Sequence, residues 1–445
     1  MKTLAFLPTG DLSAYEDMKY NDLQDYYNPD GYFDEVVCVS PYSEKYREVQ
    51  GIQIRTVTCG EEYKRTISEI CPDVIRVYGP FFSADFALYN KVEDIPVIVS
   101  VHDVVHISPS IEYADKVICM SNVVAEKVKG IGVEENRIVI MPNRVDNRLF
   151  CNKRGEEKTI QIRSSFPKGK MLISVARRCE QKNTDNIVRA LKYLPDDYFC
   201  VFIGKAQTDF SCLAKDEGVD GRCFWIDGVF KSELAYWYSA ADCFCLPSRW
   251  EGFGIVFLEA AACGTPIVTS DIAPMNEYLN NTNAILVRNY LNPIEIAEAC
   301  ETACTSDDVD SMTREALKLR DLFSKKKVDD KEVEIYSSLI GEISINREVS
   351  LKLNNKLYIW SAGERGKKMC EYLESKGHDI ICFIDQDKNK WGRNMMGRRV
   401  EMPDGVVEGQ VIVPNDFFQD VYENNRCRAI KFIDFNRVLA SYNDL

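Results

Sequence analysis

Long apolar runs are missing. No stretch of eighteen apolar residues occurs in the 445 positions, so no membrane-spanning helix is expected. The opening Met1-Lys-Thr-Leu-Ala-Phe-Leu-Pro8 has too short an apolar core for a signal peptide and reads instead as a first strand. Histidine is scarce, three in all, and none neighbours a cysteine pair at zinc-like spacing, so no metal site is expected. Positive charge is outnumbered, 55 Lys and Arg against 69 Asp and Glu, a net of -14 that argues against nucleic acid as a partner. A local basic patch against an anionic membrane remains compatible with that balance. No short-period repeat and no low-complexity segment is present.

Cysteine, by contrast, is plentiful at 17, and Cys38, Cys119, Cys200 and Cys382 all fall in apolar runs. Without a secretory leader, this is cysteine used as a small core residue in a reducing cytoplasm. Strand-like and helix-like segments alternate from end to end, the pattern of α/β architecture with parallel sheets.

The most informative stretch runs from Asp242 to Pro266. Cys243 to Leu246 is a short apolar strand, Glu251-Gly252-Phe253-Gly254 a glycine-bearing turn, and Ile255 to Cys263 a helix stopped by Gly264 and Pro266. Pro266 to Ser270 is the next strand. The turn thus sits at the carboxyl end of a strand, where ligands bind in open α/β sheets. Glu259 is the one polar side chain of an otherwise apolar helix, and a buried carboxylate needs hydrogen-bond partners. Ligand hydroxyls would serve; so would internal donors around a core glutamate. Glu251 lies beside the amides of Phe253, Gly254 and Ile255, which suit an anionic or oxygen-rich ligand. A surface loop glutamate is the alternative.

Glu251-Gly-Phe-Gly, Glu259 eight residues on, and Ala262-Cys-Gly-Thr-Pro266 together resemble the donor-site signature of retaining glycosyltransferases of family 4. The similarity is densest between Gly228 and Leu279. It implies the GT-B fold, two Rossmann-like domains facing a cleft. It also implies that Glu259 holds the ribose hydroxyls of a nucleotide-sugar, that Glu251 faces the donor sugar, and that Gly252, Phe253, Gly254 and Ile255 line sugar and phosphate. The base would be read near Val229, largely through backbone.

The rest of the chain fits the same frame. Residues 1–165 read as the N-terminal, acceptor-side domain, with 166–345 as the donor-binding domain and Glu156 to Phe166 as an irregular hinge between them. The order Pro72-Asp-Val-Ile, Val101-His-Asp, Ala114-Asp-Lys-Val-Ile and Pro142-Asn-Arg-Val-Asp146 resembles the family's N-terminal half. His102, at the end of a buried strand, is structural on its residue type alone; the resemblance turns it toward the donor sugar. Arg177 and Lys182 follow a strand five residues apart. They could be a solvated turn, but their spacing matches the family's diphosphate clamp, so the resemblance gives them that role. Two departures stand out. Arg144 occupies a usual glycine, which would reshape that turn. The first loop offers Gly10 alone where relatives often have two glycines, which bears on Gly10 as a donor contact.

Residues 355–445 read as a small Rossmann-like accessory domain, joined by the polar segment Ile343 to Asn355. Ser361-x-Gly363-x-x-Gly366 and Asp385 half-match a dinucleotide fingerprint, with serine for the first glycine. Packing or homo-oligomerisation is the expected role. The expected activity is transfer of a sugar from a UDP- or GDP-type donor to a glycan or lipid-linked hydroxyl acceptor, without metal or other cofactor, in the cytoplasm or at the membrane's inner face. The rival readings are a nucleotide-sugar epimerase or hydrolase on the same fold, with Glu251 and His102 as acid and base, and a non-catalytic binding scaffold.

Overall fold

The computed structural model describes residues 2–17, 23–92, 95–340, 353, 356–403, 409–414, 421, 430–435 and 438–439. Three parallel-dominated sheets follow one another along the chain, each flanked by helices. The first has eight strands, ordered Glu48–Val49, Ile52–Thr56, Glu35–Ser40, Thr3–Leu7, Val74–Tyr78, Val97–Val101, Lys116–Cys119 and Ile138–Ile140. Its central strands are buried along their whole length, as a sheet covered on both faces requires. The second has six, ordered Cys223–Ile226, Tyr198–Ile203, Lys170–Val175, Cys243–Leu246, Ile267–Ser270 and Ile285–Val287, all parallel. In both sheets the order reverses beside the first strand, which opens a crevice at the strands' carboxyl ends.

The helix Lys325–Leu339 returns from the second body to the first. Val145 and Lys325 anchor it: the Val145 amide donates to Phe323 and the Lys325 amide to Val145, both at 2.9 Å. One hydrophobic cluster runs continuously from Leu4 through Phe244 to Tyr336 and Leu339, so the two bodies and the returning helix share a core.

Glu156 to Phe166, expected as an irregular hinge, is different. Glu157–Ser164 is a helix, Lys158 pairs with Glu233 at 2.5 Å, and the Phe166 ring packs on Phe199, Phe224 and Trp237. Its low hydrophobic content hid a helix that lies on the second body through one buried residue, Thr159, and a terminal aromatic.

The third sheet, Asn394–Met395, Arg398–Glu401, Asp379–Ile384, Lys356–Trp360, Gly409–Val413 and Ile430–Asp434, is Rossmann-like and has its own core. The connecting segment 343–355 lies outside the described residues except for Leu353.

Candidate functional site

Two loops at the carboxyl ends of the second sheet carry the expected donor residues, and backbone contacts fasten them together. Asn183 adopts a left-handed conformation (φ 56°), which asparagine tolerates, and is fully buried. Its side-chain amide donates to the carbonyls of Pro247 at 2.9 Å and Tyr290 at 2.6 Å. The Arg249 amide donates to Gln181 at 2.8 Å. These bonds set Lys182 against Glu251: Nζ lies 2.6 Å from Oε1, and Ser248 Oγ donates to the same oxygen at 2.8 Å. Both members of the pair are nearly buried. Arg177 is set differently. Its guanidinium is exposed and donates to Gln207 and Gln181, each at 3.1 Å. The two cations expected as one clamp therefore differ, one locked in an ion pair and one on the surface.

Glu259 lies inside the helix Ile255–Ala262, 5% exposed, and accepts from the Tyr238 hydroxyl at 3.0 Å. Burial pushes its carboxyl above the ordinary range, and Lys231 nearby opposes the shift. Gly254 precedes this helix with φ 85°, a conformation open to glycine. Phe253 is buried, its ring stacked on Tyr278 at 4.7 Å, and the Tyr278 hydroxyl donates to its carbonyl at 2.6 Å. Val229 is half-buried against the shared core.

The first body meets this loop directly. A Cβ on Gly252 would collide with the His102 carbonyl oxygen, so the absence of a side chain lets the two loops touch. Ser121 Oγ caps the helix Asn122–Ile131 and also donates to the Gly252 carbonyl at 2.8 Å. Glu277 takes the amides of Asn122 at 2.8 Å and Val123 at 2.9 Å, so a residue of the second body satisfies a helix start of the first. Burial, with Arg76 and Arg144 close by, brings the His102 imidazole down to about 4, against a counter-pull from Glu332. It is neutral near pH 7. Gly10, in the loop after Thr3–Leu7, has open space beside it and no contact that joins it to Lys182 or Glu251.

A cavity with about 710 Å³ of space, part of it open to solvent, lies between His102, Ile255, Lys231 and the returning helix. Its floor is a buried ion network that the sequence did not suggest. Arg144 donates to Glu332 at 2.6 Å and to the Tyr26 carbonyl at 2.9 Å, and pairs with Asp329 at 3.0 Å. Arg76 reaches Glu332 at 3.3 Å. The available signals were an arginine inside the apolar strand Val74–Tyr78 and the departure at Arg144.

Among the described residues no His, Cys, Asp and Glu group is placed to hold a metal, and no helix is long and apolar enough to cross a membrane. In the third body Ser361 takes φ 128°, the backbone of the glycine it replaces. Asp385, where a dinucleotide's ribose would be held, is committed to the Ala362 amide, the Asp387 amide and Lys390, each at 2.8 Å.

Comparison with known proteins agrees with this architecture. Residues 156–320 match the family model described as Glycosyl transferases group 1. A D-inositol 3-phosphate glycosyltransferase of Xylanimonas cellulosilytica is 31% identical over 192 residues, 40% of this chain and 46% of that protein. An uncharacterized glycosyltransferase of Methanocaldococcus jannaschii is 27% identical over 174 residues, 37% of this chain and 45% of that one. The match thus spans under half the length of these curated relatives. Anabaena HepE in complex with UDP superposes with a TM-score of 0.65 at 17% identity, covering 76% of this chain and all of that one. Sucrose-phosphate synthase from Thermosynechococcus elongatus gives 0.63 at 15%, covering 77% and 100%. The fold is GT-B.

Proposed function

We propose that the chain is a retaining glycosyltransferase of the family 4 type, moving a sugar from a nucleotide-diphosphate sugar to a hydroxyl acceptor. The observation that carries this is the Lys182–Glu251 pair, set at 2.6 Å at the strand ends of the matched domain with Glu259 buried one helix turn beyond. The chemical demand is stabilising a departing diphosphate. Lys182 and Arg177 would supply positive charge, with Arg177 free to swing in from the surface, and the amides at the start of Ile255–Ala262 would add their dipoles. Glu259 would bind the ribose hydroxyls, with Tyr238 holding its carboxylate in place. His102 and Glu251 would face the donor sugar, and the leaving phosphate would take the acceptor's proton in a front-face attack. Side-chain cations do the neutralising, so no metal is required. UDP-type donors are the first choice, since HepE was solved with UDP. The acceptor would be a glycan or a lipid-linked glycan, reached in the cytoplasm or at a membrane's inner face, and the third body would serve assembly, as in a homo-oligomer.

The epimerase or hydrolase reading needs an acid and base pair. His102, with its titration brought down to about 4, is a weak base and holds no extra proton to give near pH 7, and Glu251 is tied to Lys182. The scaffold reading is opposed by the coexistence of Arg177, Lys182, Glu251 and Glu259. The test is a panel of nucleotide-sugars in thermal shift, followed by product analysis with and without acceptor. No stabilisation by any donor would sink the proposal; release of free sugar alone would favour the hydrolase.

A further inference from the structure

Arg76 is 1% exposed, in mid-strand at the bottom of the cleft. Its guanidinium lies over the Tyr78 ring at 5.0 Å, and one nitrogen stands 3.3 Å from Glu332. The other two, Nε and Nη1, are buried without a well-aligned acceptor, with the Tyr78 hydroxyl beside them as a weak internal partner. Arg144 beside it has a partner at each nitrogen. Arginine carries donors only and keeps its proton, so buried N–H groups of this kind need lone pairs from whatever enters the cavity. Charge selects among candidates. Arg76, Arg144, Lys231 and Lys325 line the cavity against Asp25, Asp146 and Glu332. Four cations against three carboxylates is a local positive excess in a chain of net charge -14. The lining also includes Ile255 at the start of the expected donor helix, so a molecule seated here would lie next to the expected donor site.

We propose that this cavity is an acceptor subsite for an anionic group, a phosphate monoester or a carboxylate, which takes hydrogen bonds from Arg76 Nε and Nη1 and from the Tyr78 hydroxyl. The assignment of the anion's owner as acceptor rests on the glycosyl-transfer reading; the anion site itself does not. Charge-assisted bonds from a buried guanidinium are among the stronger ones available, and they would seat the acceptor before its hydroxyl is attacked.

The test uses the full chain and three probes on one carbon frame: glycerol 1-phosphate, glycerate and glycerol, titrated by calorimetry. One or both anions should bind and glycerol should not, and the tighter anion identifies the group. Arg76→Gln should weaken that binding about 10- to 100-fold. Arg76→Lys, which keeps the charge that Glu332 needs, guards against misfolding and should recover part of it. Arg177→Ala should leave anion binding unchanged, because its guanidinium belongs to the donor clamp. Equal binding of glycerol and its phosphate would overturn the subsite. So would unaltered anion binding in both folded Arg76 variants, or loss of binding in Arg177→Ala, which would move the anion to the clamp. Nucleotide-sugar affinity, measured in parallel, separates the two claims. If no nucleotide-sugar binds while Arg76-dependent anion binding holds, the transfer reading fails and the subsite stands.

Discussion

Lys182→Ala and Arg177→Ala should be kinetically alike and thermodynamically unlike. Each removes one positive charge expected to meet the departing diphosphate, and loss of one such electrostatic group costs about 10²–10³ in turnover. Their structural settings differ. Lys182 and Glu251 are 14% and 7% exposed and 2.6 Å apart. Alanine at 182 strands the Glu251 carboxylate in the protein with Ser248 as its side-chain donor. Breaking a buried pair from one side costs about 3–5 kcal/mol. For a domain of this size that is a fall in melting temperature of about 6–20 °C. Arg177 is exposed, and its partners are two glutamines that can turn to water. Its removal should cost under about 0.5 kcal/mol. The double variant Lys182→Met with Glu251→Leu sharpens the point. An apolar pair of similar volume is often as stable as the ion pair it replaces, so the melting temperature should return while transfer stays lost. Scanning calorimetry on the wild type and the three variants, with turnover measured on the same samples, decides it. Equal melting of Lys182→Ala and Arg177→Ala would refute the reasoning, because the pair would then contribute nothing as a buried unit.

Four further outcomes are expected. Gly252→Ala should lower stability by about 1–3 kcal/mol and weaken donor binding, since its Cβ meets the His102 carbonyl; calorimetry reads both, and wild-type values would deny that the loops touch. The Glu332 carboxyl is held below its ordinary 4.5, because Arg144 and Arg76 outweigh the burial that opposes them. A depressed folded value contributes stability that is full above about 4.5 and is lost as pH falls from there through the lower, folded value, so Glu332→Gln should melt lower at pH 7 and lose less than wild type on acidification. Transfer should survive EDTA, and loss on chelation with recovery by manganese or magnesium would contradict neutralisation by side chains. A fragment of residues 1–345 should fold and bind donor, because the third body's core clusters contain its own residues alone; a folded fragment that binds no donor in calorimetry would show that the third body helps build the site.

How much of this was legible depended on sequence distance. Cys243 to Ser270 is a strand, turn, helix and strand within one local unit, and its apolar periods and glycine placements dictate the geometry without help from elsewhere. Glu259 could be placed inside a buried helix for that reason. That Arg177 is exposed while Lys182 is nearly buried was not legible, because five residues of turn can point two side chains in different directions, and Asn183, reaching Pro247 and Tyr290, fixes the turn beside Lys182. Glu277 was invisible for a similar reason: its partners lie 154 and 155 residues away, on the other body. The helix Glu157–Ser164 was missed because it shows little amphipathic pattern and docks through an aromatic at its end.

Arg144 joins the two kinds of evidence. In the sequence it was a departure, an arginine where similar proteins usually have glycine, and the expected consequence was a reshaped turn. In the structure its side chain leaves the turn and spans to Asp329 and Glu332 on the returning helix. A guanidinium at that depth is costly unless its charge is met, which explains why two carboxylates of a helix 188 residues away are turned inward at 0% and 2% exposure. Glu332 is then shared with Arg76, and one carboxylate cannot saturate two arginines. The residual donors of Arg76 follow from that sharing. The substitution therefore does more than fasten the helix. By drawing Glu332 toward itself, Arg144 leaves Arg76 with hydrogen bonds to give, so the proposed anion subsite would depend on a position that a glycine would leave silent.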